Sequence, residues 1–127
     1  MAMFLPSADR RYLEGRAIEF REVEEGANKG VVLEAFGLPE NRFDFGEVDI
    51  LILLPAGYPD TPPDMFYLVP WVKLASKNAY PNAANVAFGY AGKNWQRWSR
   101  HNNEWRPGVD GIWTMIKRIE HALENAA

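Results

Sequence analysis

The chain has 127 residues, a formal charge of −3, 47% hydrophobic and 24% charged residues, and no cysteine. These values describe one soluble globular domain over residues 1–127, able to bury about two thirds of its unfolded surface. They exclude disulfides, thiolate zinc sites and thiol nucleophiles, and the mild negative charge argues against a non-specific grip on nucleic acid.

Residues 7–13 predict a short helix with Ser7 as N-cap, too short to hold without docking. In residues 17–23, Ile18 and Phe20 alternate with Glu19 and Arg21, the pattern of a half-buried strand. Residues 24–30, EEGANKG, are turn chemistry, with Glu24 and Glu25 as solvated turn surface. Residues 31–36 read as the second strand of a hairpin. Residues 48–54 form the third strand, whose continuous apolar run suggests burial on both faces. Pro55, Gly57 and Pro59 break it, and Pro62 and Pro63 hold the connector extended. Residues 65–69 are the fourth strand, ended by Pro70. The expected class is α+β, with a four-stranded antiparallel meander.

Between Trp71 and Trp105 the periodicity fails, and the segment reads as one long, aromatic-rich functional loop. After Pro107 and Gly108, Val109, Ile112, Trp113, Ile116, Ile119 and Leu123 recur at three- and four-residue spacing. That spacing predicts a C-terminal helix packed on the sheet. The first residues, MAMFLPSADRR, lack the order of a signal peptide, and no run approaches the about 20 apolar residues of a membrane helix. The expectation is a cytoplasmic protein with no membrane or nucleic-acid partner. Residues 89–93 lack the phosphate-loop signature, and two histidines make a metal site unattractive, so no cofactor is expected.

Tyr58-Pro59-Asp60-Thr61-Pro62-Pro63, Tyr80-Pro81-Asn82 and Trp105-Arg106-Pro107 stand in this order, followed by the helix. The arrangement resembles the ubiquitin-conjugating enzyme fold, with Tyr80 where that family's His-Pro-Asn motif has histidine. It is most similar to the bacterial branch called prokaryotic family E. The resemblance implies a UBC-like fold over roughly residues 17–124, with a short N-terminal helix and a long active-site-region loop. It also implies as partners a ubiquitin-like protein, its activating enzyme and a JAB-type metalloprotease of the same pathway. The family's catalytic cysteine lies between the Asn motif and Trp-x-Pro, and residues 83–104 contain none. Thioester chemistry needs that sulfur.

The candidate site residues follow from this region. His101 is a candidate general base, a residue shaping a groove for a modifier's tail, or a loop histidine in a local network. By the resemblance, Asn82 stabilises an oxyanion or holds the active-site loop; it is also an ordinary turn residue. Ser99 would give a far less reactive oxyester. Tyr80, Arg97, Trp98, Arg100 and Asn102 are candidate binding residues, with Trp98 the exposed recognition candidate and Trp105 and Trp113 core. Tyr58, Pro59, Pro62, Pro63, Trp105 and Pro107 are structural. The sequence thus points to a ubiquitin-conjugating-like protein acting as a non-thioester binding or scaffold component. The alternatives are an RWD-type interaction adaptor and a non-thiol transferase using His101 or Ser99.

Overall fold

The computed structural model describes residues 4–101 and 104–127. Helix α1 (Ser7–Gly15) opens after Pro6, which occupies the N-cap with φ −54°, and no side chain caps it. Ser7 is therefore the first helical residue and not the cap. The strands β1 (Phe20–Glu25), β2 (Asn28–Gly37), β3 (Glu47–Leu54) and β4 (Phe66–Val69) stand in the expected order, but the turn expected over residues 24–30 narrows to 26 and 27, and Glu24, Glu25 and residues 28–30 belong to the strands. Helix α2 (Ile112–Glu124) closes the fold.

The four-stranded sheet is a correction. The region expected to be one long loop carries two further strands, β5 (Val86–Tyr90) and β6 (Lys93–Trp98), joined at Ala91 and Gly92. Both turn residues have positive φ, 50° and 78°, which a two-residue hairpin requires. The sheet is antiparallel and six-stranded in the order β1-β2-β3-β4-β6-β5. The connector after β3 is also less extended than expected. Tyr58 N–H bonds back to the Pro55 carbonyl and Thr61 N–H to that of Gly57, so residues 56–60 form turns.

Both faces of β3 are buried, as its apolar run suggested. Ile50 and Ile52 face the helices, with Leu13, Trp98, Met115, Ile116 and Ile119, in the main core. Leu51 faces the other way, into a second cluster with Val32, Tyr67, Tyr90 and Trp95. Among the described residues, no helix contributes to that second cluster. It is closed by the sheet's own curvature. The Tyr90 hydroxyl donates to the Asn28 carbonyl at 2.7 Å, and the Glu25 carboxylate accepts Ala91 N–H at 2.9 Å. In a flat sheet β2 and β5 would lie about 19 Å apart, so these bonds need a rolled one. Glu25, expected as turn surface, is thus the last residue of β1 and a clasp between the two hairpin tips.

The irregular residues between β4 and β5 are ordered by Gln96, which is fully buried. Its amide donates to the carbonyls of Val72 and Ala84 and accepts Val72 N–H and the Trp98 indole N–H.

Candidate functional site

A groove of about 550 Å³ lies where the chain leaving β6 meets the flank of α2. Its position follows from strand alternation. Trp95 faces the second cluster, whereas Gln96 and Trp98 face the helices. The chain therefore emerges from β6 beside α2. Ser99 N–H bonds to the Ala83 carbonyl at 3.0 Å, which fixes the exit. From there Ser99, Arg100 and His101 form one wall, and Thr114, Lys117, Arg118, His121, Ala122 and Asn125 the other.

One contact ties the walls together, the bond that Arg118 donates to the His101 carbonyl, and Asp64, outside the lining, holds the His101 ring through Nδ1 at 3.0 Å. Arg100 lies over the Trp98 ring, 5.1 Å from its centroid, so the core tryptophan is its platform. Burial lowers the pKa of Arg100 and of Arg118, the latter partly offset by the attraction of Asp64. Guanidinium groups stay charged under such shifts. Arg100, Lys117 and Arg118 thus give the groove fixed positive charge, and no carboxylate is among its lining residues. In a chain of net charge −3 this is a local concentration of positive charge.

The expected site residues divide. Ser99, Arg100 and His101 come together in the groove. The Ser99 hydroxyl rests 3.5 Å from the Met65 sulfur, with no bond to His101. Asn82 is not among the groove's lining residues. Its N–H bonds to the Ala127 carbonyl at 2.8 Å, and its side chain has no hydrogen-bond partner among the described residues. Asn102 lies outside the described residues.

Trp98 is a correction. Expected as an exposed recognition residue, it has 0% exposure, packs against Phe43 and Phe66 and sits in the main core. Its place on β6 turns it to the helices. Arg97, one residue earlier, pairs with Tyr67 and shares its face of the sheet, across the sheet from the groove, with its Nε buried and unbonded. Tyr80 is exposed and meets Trp71 edge-on at 5.5 Å, apart from the groove.

The structural motifs do converge. The Trp105 indole donates to the Pro59 carbonyl at 2.8 Å, and its ring lies 6.4 Å from that of Tyr58. Pro63 is buried and Pro62 half-buried, whereas Pro107 sits in the exposed turn before α2. Asp64, in the connector before β4, and Lys117, Arg118 and His121, on α2, were not expected at the site, and no sequence signal says which loop will meet that side of the helix.

Among the described residues no cluster of side chains is arranged to hold a metal ion, and no helix is long and apolar enough to cross a membrane. Comparison with curated proteins and with solved structures gives no match. The family model for the prokaryotic E2 family E matches residues 5–126, nearly the whole chain. On that match, the chain belongs to the prokaryotic E2 family E.

Proposed function

We propose that this protein is a non-thioester binding component of a bacterial ubiquitin-like modification pathway. It holds a ubiquitin-like protein, or the enzyme that activates one, through the groove between residues 99–101 and α2. Family membership supports a role related to ubiquitin conjugation. The observation that carries the binding reading is the groove's chemistry. It offers fixed cations and polar side chains, Thr114 and Asn125, with no thiol anywhere in the chain. Such a lining suits a carboxylate-bearing polypeptide segment, held by charge-assisted hydrogen bonds.

The test is a titration against the ubiquitin-like protein and activating enzyme encoded beside this gene, with the double variant Lys117→Glu, Arg118→Glu and the opposite-face control Arg97→Ala. Binding near micromolar, lost in the double variant, weakened by salt and kept in the control, supports the groove. A wild-type protein that binds neither partner sinks the proposal and leaves an adaptor role outside conjugation. A JAB-type protease of the same pathway is the next partner to titrate.

A further inference from the structure

His101 and Asp64 form a pair that the binding reading does not use. A carboxylate can only accept a hydrogen bond, so the 3.0 Å contact of Asp64 with His101 Nδ1 places the proton on Nδ1. Nε2 is then the lone-pair nitrogen, and it has no hydrogen-bond partner among the described residues. The backbone of His101 is fixed as well, through the bond from Arg118 to its carbonyl. A carboxylate orienting an imidazole, with the second ring nitrogen open, is a general-base arrangement. The residue that would make it a nucleophilic triad is missing. Ser99, in the same groove, has its hydroxyl against Met65, and there is no cysteine.

We propose that Asp64 and His101 form a general-base dyad that activates an external nucleophile against an anionic acyl ester held in the groove. His101 is the catalytic residue and Asp64 a positioning residue. The proposal rests on the groove assigned above and goes beyond binding. The substrate class follows from the lining: Arg100, Lys117 and Arg118 favour a donor that carries a carboxylate, and they offset the charge of a developing oxyanion. With water as nucleophile, its oxygen forms a bond to the acyl carbon while one proton passes to His101 Nε2, and the carbonyl pair moves onto oxygen. Collapse re-forms the carbonyl and breaks the ester C–O bond, whose electron pair leaves with the alcohol or phenol. The imidazolium passes its proton to that leaving oxygen, and the new acid releases its own proton to solvent. A primary amine in place of water gives an amide by the same steps, with no acid proton to release.

The test uses mono-4-nitrophenyl glutarate, which carries a carboxylate, and neutral 4-nitrophenyl acetate for comparison. The wild-type protein is expected to hydrolyse the glutarate ester at least about tenfold faster than His101→Gln, below the roughly hundredfold or more usual for a general base because the dyad is exposed. Lys117→Ala is expected to lose the preference for glutarate over acetate. Asp64→Asn is expected to slow the reaction and Asp64→Glu to restore part of it. Nitrogen-15 spectra of neutral His101, distinguished from His121 by His121→Asn, are expected to show an unprotonated Nε2 in the wild type and a tautomer mixture in Asp64→Asn. Equal rates for wild type and His101→Gln, or unchanged spectra in Asp64→Asn, would overturn the dyad. Either result stands apart from the partner titration, which tests the binding reading alone.

Discussion

The Tyr58 hydroxyl donates to the Asp9 carboxylate, whose other oxygen lies 3.5 Å from the Ile112 N–H at the start of α2. One buried acid therefore joins α1, the turns after β3 and the last helix. Burial pushes the Asp9 carboxyl above its usual range, opposed by the Tyr58 bond, and the Tyr58 phenol is pushed well above its own. The junction is tight. A Cβ on Gly111 would come within 2.6 Å of the Trp113 ring and 2.9 Å of Asp9. Tyr58→Phe leaves the buried carboxylate short of a partner and is expected to cost about 1–3 kcal/mol in urea unfolding. A loss well under that range would mean that Asp9 is satisfied without Tyr58.

Gln96 is expected to be costlier. Gln96→Leu keeps the volume but strands the Val72 N–H, the carbonyls of Val72 and Ala84 and the Trp98 indole N–H. With about 1 kcal/mol or more for each buried orphan, the loss should exceed about 3 kcal/mol. Amide exchange at Val72 should accelerate more than at Ile50 of β3. A uniform change across both would count against Gln96 as the tie of the segment between β4 and β5.

Trp98 and Arg100 should separate stability from recognition. Trp98→Ala empties a core position and is expected to cost about 3–5 kcal/mol. Arg100→Ala should leave the unfolding midpoint nearly unchanged while weakening partner binding. Chemical denaturation and titration of both variants decide it; a mild Trp98→Ala phenotype would contradict its place in the core.

The acid limb of stability should carry the mark of Asp110. Its bonds with Arg106, side chain and backbone, and with Thr114 hold its carboxyl down to about 2. A carboxyl lower in the folded than in the unfolded chain stabilises above its unfolded value of about 3.9 and loses that contribution as pH falls toward 2. Asp9, shifted upward, has the opposite sign: its contribution grows as pH falls through its folded value. Asp110→Asn should therefore be less stable than the wild type at pH 7, and the gap should close between pH 4 and pH 2. A gap that is constant with pH would remove Asp110 as its source.

The parts of this fold written in local periodicity were readable. The three- and four-residue spacing of Ile112, Ile116, Ile119 and Leu123 gave α2, and the apolar run of β3 gave its two-sided burial. The β5–β6 hairpin was not readable, because its turn is Ala91-Gly92 and its second strand, KNWQRW, reads as polar and aromatic without a clear period. Gly92 was the available hint. The alternation of β6 then decided what the cluster Arg97, Trp98 and Arg100 could do. Consecutive residues that look like one patch in sequence are sent to opposite sides of a sheet. The groove was half legible: His101, Ser99 and Arg100 belong to it, but Asp64 and the α2 flank reach it only through tertiary packing.

The clasp between the hairpin tips also sets an order of events. The bonds from Tyr90 to Asn28 and from Ala91 to Glu25 join residues 62 and 66 positions apart, whereas each hairpin forms between near neighbours. Local pairing is fast and distant closure slow. The clasp, and with it the enclosure of Trp95 in the cluster between the two hairpins, is therefore expected to close after each hairpin has paired.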